Sequence, residues 1–144
     1  MTTIAYCHRD KEIAWDSRQT GDGGIIKNDS AQKHYEIEGV GYWISGVVSD
    51  ESLMIEAYQT GKVSRVPECN AFVFDGGRMY RCGVDAEGFL WKEELKNNDS
   101  FGSGHPFALS AMRLGMSAKD AVKHAKKLDC YTGGKVYSMK LKSK

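Results

Sequence analysis

The chain opens Met1-Thr2-Thr3-Ile4-Ala5-Tyr6-Cys7, turns through Arg9-Asp10-Lys11 and returns as Glu12-Ile13-Ala14-Trp15-Asp16. β-Branched and aromatic residues on either side of a short polar turn predict a hairpin of strands over residues 2–7 and 12–16. The first residues of that hairpin also carry chemistry. An initiator methionine is normally removed ahead of a side chain as small as threonine, which would leave Thr2 with a hydroxyl nucleophile and a free α-amine in one residue. Such an amine has an ordinary pKa of about 7.7 to 8, near the value a general base needs at neutral pH. A chemistry of this kind requires no histidine.

The 144 residues are about one domain's length, so the expectation is a single domain over residues 1–144. Twenty Lys+Arg against nineteen Asp+Glu leave a net charge of +1, with 41% apolar residues. This is ordinary globular composition, and it excludes whole-chain disorder and a strong electrostatic pull toward nucleic acid. No window approaches the roughly 18 consecutive apolar residues of a membrane span, and residues 1–16 do not read as a basic segment followed by an apolar one. A soluble, intracellular domain is expected. Cys7, Cys69, Cys82 and Cys130 form no CxxC pair, and His8, His34, His105 and His124 form no HExxH cluster. Reduced, mostly buried thiols are expected, with no metal and no cofactor.

Further strands are expected at Ile25-Ile26 and over residues 33–37, 40–45, 71–74, 79–84, 89–91 and 135–141. A first helix should begin at a cap on Ser49 or Asp50, place Leu53, Met54, Ala57 and Tyr58 on one face, and stop at Gly61. Two more are expected over residues 106–114 and 117–128, the last opening with Ser117-Ala118-Lys119-Asp120 and carrying a stripe of Ala118, Ala121, Val122, Ala125 and Leu128. The order of strands, helix, strands, two helices and strand predicts an α+β fold: a four-layer α/β/β/α sandwich of two stacked, mainly antiparallel sheets.

The opening Met1-Thr2-Thr3-Ile4-Ala5 is followed by Ile13-Ala14-Trp15-Asp16-Ser17-Arg18-Gln19-Thr20-Gly21-Asp22, Lys33 and Ser45-Gly46-Val47-Val48-Ser49-Asp50. Farther on stand Gly102-Ser103-Gly104 before a helix and Leu128-Asp129-Cys130-Tyr131-Thr132-Gly133-Gly134 before the last strand. In this order the segments resemble the proteasome β-subunit superfamily of N-terminal nucleophile hydrolases, most closely the bacterial HslV-type peptidases, the proteolytic subunits of an ATP-dependent protease.

The resemblance implies a threonine peptidase in which Thr2 is the nucleophile and its α-amine the general base. Lys33 would favour deprotonation of the hydroxyl, Asp16 would hold that lysine, and the Gly46 N–H would face the oxyanion. Ser103 and Asp129 would hydrogen-bond around the terminal amine. A polypeptide substrate would add as a strand beside the segments of Thr20 and Gly46, with Gln19, Ile44 and Val48 walling an apolar specificity pocket. Also implied are a homo-oligomeric ring and a cytoplasmic location in a bacterial or phage-infected bacterial host. A separate ATP-dependent unfoldase would be the partner, since the chain has no GxxxxGK[ST] loop; neither nucleic acid nor membrane is implied. One departure stands out: after Lys62 the HslV pattern continues into a second long helix, whereas strands are expected here almost at once. Two other readings stay open, an N-terminal nucleophile amidase for small amides and a non-catalytic homologue that keeps the scaffold.

Overall fold

The computed structural model describes residues 2–142. In chain order the elements are β1 (Ile4–Cys7), β2 (Glu12–Trp15), β3 (Gln19–Thr20), β4 (Ile26–Asn28), β5 (His34–Ile37), β6 (Val40–Gly46) and α1 (Glu51–Thr60). They continue with β7 (Cys69–Asp75), β8 (Arg78–Val84), β9 (Leu90–Glu94), β10 (Asp99–Phe101), α2 (His105–Arg113), α3 (Ala118–Leu128) and β11 (Tyr137–Lys140). They group into two compact units, one running to Lys33 and resuming over Lys96–Lys142, the other His34–Leu95.

The first unit is built on an antiparallel sheet in the order β10-β1-β2-β11. Alternation along β1 and β2 turns Ala5, Cys7 and Ala14 toward α2 and α3, where they join Ala108, Ala111, Met112, Ala118, Ala121, Val122 and Ala125 in one buried cluster. Small side chains let helix and sheet approach closely, which is why this face is alanine-rich. The alternate residues Ile4, Tyr6, Ile13 and Trp15 are buried as well, so the central hairpin is apolar on both faces. At the start of α3 the expected cap is present: the Ser117 hydroxyl accepts the Asp120 N–H at 3.1 Å. Leu128, placed on the apolar stripe from sequence, is instead 56% exposed, at the residue where α3 ends.

In the second unit five antiparallel strands run in chain order, β5-β6-β7-β8-β9; short turns at residues 38–39, 76–77 and 85–89 join all but β6 and β7, which are connected through α1. Helix α1 lies on one face and packs Met54 against Tyr42, Ile44, Ala71, Val73 and Cys82. It ends at Gly61 as expected, but neither Ser49 nor Asp50 caps it by a side-chain hydrogen bond. The Asp50 carboxylate turns instead to the Glu68 N–H at 2.8 Å and to Arg65 at 2.6 Å, and so ties down the connector after α1. That connector leads directly into β7 without a second helix, as the sequence departure implied.

Two short strands, β3 and β10, escape the sequence reading. β10 is three residues, Asp99-Ser100-Phe101, with no alternation long enough to register, and it becomes a strand by pairing with β1. Of the cysteines, Cys7 and Cys82 are buried, Cys69 is half-buried and Cys130 is exposed; all four are free thiols.

Candidate active site

The register of the first hairpin builds the site. Ile4 pairs with Trp15, and one step beyond the ladder the Asp16 N–H reaches the Thr3 carbonyl at 3.3 Å. This sets the Asp16 side chain beside Thr2 and Thr3, all three at most 1% exposed. Lys33, the last residue before β5, brings its ammonium into the same place at 7% exposure. Its Nζ donates to Asp16 Oδ1 at 2.8 Å and also to the Thr2 hydroxyl, which in turn donates to Asp16 Oδ1. The Thr2 hydroxyl oxygen therefore lies between an ammonium and a carboxylate.

Asp16 has further partners, and all of them are donors. Oδ1 accepts the Thr3 N–H at 3.2 Å; Oδ2 accepts the Gly133 N–H at 2.9 Å and the Arg18 N–H at 3.3 Å. Burial pushes the Asp16 carboxyl above the ordinary range, and the Lys33 charge with the Gly133 and Thr3 N–H groups opposes that shift without cancelling it. A donor-only shell around both oxygens is nevertheless suited to the carboxylate form. Removing one member of such a buried pair is expensive, on the order of 3 to 5 kcal/mol, since it strands the other charge.

A second cluster adjoins the first. Asp129 Oδ2 accepts from the Ser103 hydroxyl and from the Thr132 hydroxyl, both at 2.6 Å, and Oδ1 accepts the Tyr131 N–H at 3.2 Å. Burial pushes the Asp129 carboxyl up, but the bonds from Ser103, Thr132 and Tyr131 outweigh it and hold the group below the usual carboxylate range. Gly102 carries the Ser103 loop to this position: its φ of +99° suits glycine, and a Cβ there would overlap the Thr2 carbonyl oxygen. Arg18 fastens the facing loop, with a forked bond to Asp29 at 2.8 and 3.2 Å and a third to the Cys130 carbonyl at 3.0 Å.

Of the residues expected from sequence, Thr2, Asp16, Lys33, Ser103 and Asp129 thus lie in these two adjoining clusters of the first unit. Gln19 and Thr20 form β3, half-buried, with the Gln19 side-chain Oε1 accepting from the Asn28 side-chain Nδ2 at 2.9 Å. Gly46 and Val48 belong to the second unit. Gly46 is exposed, with φ +140°, and a Cβ would run into the Glu68 carbonyl and Cys69, so the position accepts only glycine. Val48 is 55% exposed. Ile44 is a correction: it is fully buried in the core under α1, because alternation along β6 turns it to the helix side, so it walls no substrate pocket. Thr3, Thr132 and Gly133 are site residues that reading the sequence does not single out. Each stands inside a quoted segment, yet contacts such as Gly133 to Asp16, 117 residues apart, exist only after folding. Met1, whose removal the sequence reading invokes, lies outside the described residues.

The four-stranded and five-stranded antiparallel sheets with their helices give the fold of the proteasome β-type N-terminal nucleophile hydrolases. The chain is similar to eukaryotic HslV from Trypanosoma brucei, with a TM-score of 0.73 and 19% identity over 96% of this chain and 98% of that one. It is similar also to BPH of Thiobacillus denitrificans, with a TM-score of 0.71 and 18% identity over 98% of this chain and 99% of that one. The same protein in complex with epoxomicin aligns with a TM-score of 0.70 and 18% identity over 98% and 100% of the two chains. No family model and no curated protein matches the sequence.

Proposed function

We propose that this chain is a threonine peptidase of the proteasome and HslV class, active once Met1 is removed. The observation that carries the reading is the Thr2 hydroxyl, buried and hydrogen-bonded to both Lys33 and Asp16. In the proposed reaction Thr2 Oγ1 attacks a peptide carbonyl while its proton passes to the α-amine of the same residue, which then protonates the leaving amine. Water hydrolyses the resulting ester and restores the hydroxyl. Lys33 stabilises negative charge growing on Oγ1, and Asp16 keeps Lys33 protonated and aimed. Ser103 and Asp129 supply the polar surroundings of the amine. The resemblance adds Gly46 as the oxyanion donor, a role worth roughly 10²- to 10³-fold in such enzymes.

Polypeptide substrates bound as an added strand, with Gln19, Thr20 and Val48 among the contacts, follow from the same resemblance. So do a homo-oligomeric ring, an unfoldase partner and a cytoplasmic setting. The complex of the Thiobacillus denitrificans protein with epoxomicin supports the choice of probe. The test is the intact mass of natively expressed protein after incubation with an epoxyketone, which reacts with a free N-terminal threonine. Loss of methionine and a single adduct, absent in Thr2→Ala, is the expected result. Retained methionine without an adduct would overturn the proposal and favour a non-catalytic homologue.

A further inference from the structure

Asp16 and Asp129 belong to separate clusters, and one residue touches both. The Thr3 N–H donates to Asp16 Oδ1 at 3.2 Å, while the Thr3 hydroxyl lies 2.7 Å from the Thr132 hydroxyl, which donates to Asp129 Oδ2 at 2.6 Å. The direction of this chain follows from proton counting. Thr132 has one hydroxyl proton and gives it to Asp129, so in its contact with Thr3 it is the acceptor, and Thr3 is the donor. Thr3 is fully buried, and Gly104 is the residue that makes room for it: a Cβ on Gly104 would collide with the Thr3 Oγ1. Nothing in the hairpin itself requires a hydroxyl here. On a buried strand end a valine would fill the same volume, so the polar atom calls for a reason beyond packing.

We infer that Thr3 is a positioning residue that couples the Lys33–Asp16 pair to the Ser103–Asp129 cluster, fixing the geometry of the adjacent Thr2 through its N–H on one side and its hydroxyl on the other. The inference rests on the peptidase reading given above and adds to it. A bound hydroxyl that both accepts and donates is a stronger donor than one that only donates, so the Thr3 bond sharpens the Thr132 bond to Asp129. The Thr3 side chain touches no reacting atom; its effect passes through Thr132 and Asp129 and through its own main chain next to Thr2.

The experiment compares wild type, Thr3→Val and Thr3→Ser in their reaction with an epoxyketone, following the maximal inactivation rate and the half-saturating probe concentration separately. Thr3→Val keeps the β-branched shape and removes the donor; Thr3→Ser keeps the donor and removes the methyl. Intact mass confirms methionine removal, and thermal melting confirms folding, in all three. The expected result is a maximal rate about tenfold lower in Thr3→Val with half-saturation within twofold, as for loss of one hydrogen bond into a charged network, and recovery of most of the rate in Thr3→Ser. Equal rates in Thr3→Val and wild type would overturn the inference while leaving the peptidase reading intact. So would a Thr3→Ser as slow as Thr3→Val, because packing of the methyl would then be the cause. A processed wild type that fails to react removes the peptidase reading and the inference with it.

Discussion

The two units solve the problem of burial in different ways. In the second, α1 covers its sheet by packing Met54 on Tyr42, Ile44, Ala71, Val73 and Cys82, and the Asp50 and Glu51 carboxylates at the start of the helix are bonded by Arg65, the Glu68 N–H and the Tyr35 hydroxyl. In the first, a comparable helix-on-sheet core exists, but beside it Asp16, Lys33, Thr2, Thr3 and Thr132 are withdrawn from water as a connected polar group. Burying charge costs more than burying methyl groups and adds little net stability. The second unit pairs its buried Asp50 with a largely exposed Arg65, whereas the first withdraws both Lys33 and Asp16 from water, and a pair buried on both sides is where chemistry is to be sought.

That contrast can be tested in order of effect. Thr2→Ala should abolish adduct formation with an epoxyketone, read by intact mass, and leave a folded protein. Lys33→Met should lower reactivity at least a hundredfold and also destabilise the protein by about 3 kcal/mol in urea, since Asp16 is left buried without its counter-charge. A stability loss below about 1 kcal/mol would mean that the pair is far better solvated than its exposure indicates. Met54→Ala, in the apolar core of the second unit, should cost roughly 2 to 4 kcal/mol with no polar network to unravel. Removal of the α3 cap by Ser117→Ala should cost only about 1 kcal/mol.

The smallest effect is confined to acid. Arg65 and the Glu68 N–H depress the Asp50 carboxyl to about 2. Because its folded value lies below the unfolded one of about 3.9, its contribution is fully present above that pH and is lost as pH falls toward 2. Asp50→Asn should therefore flatten the stability profile between about pH 4 and 2 and leave its shape at neutral pH unchanged, as acid titration followed by circular dichroism would show.

Local pattern alone announced the first hairpin, α1 with its stop at Gly61 and the capped α3, because alternation, helical spacing and turn residues act over a few positions. The segments around Thr2, Asp16, Lys33, Ser103 and Asp129 were also legible, since residue type and order along the chain are properties of the sequence. What lay beyond it were contacts between distant residues. Ile44 reads as a pocket wall until the pleat of β6 turns it under α1. Asp50 reads as a helix cap until Arg65 and the Glu68 N–H offer its carboxylate stronger partners. Thr3, Thr132 and Gly133 acquire their place only when the loop after α3 folds back on the first hairpin. Which groups are present, and in which local elements, is written along the chain; which of them meet is settled by folding, because a hydrogen bond needs its atoms within about 3 Å, and only packing brings residues over a hundred positions apart to that distance.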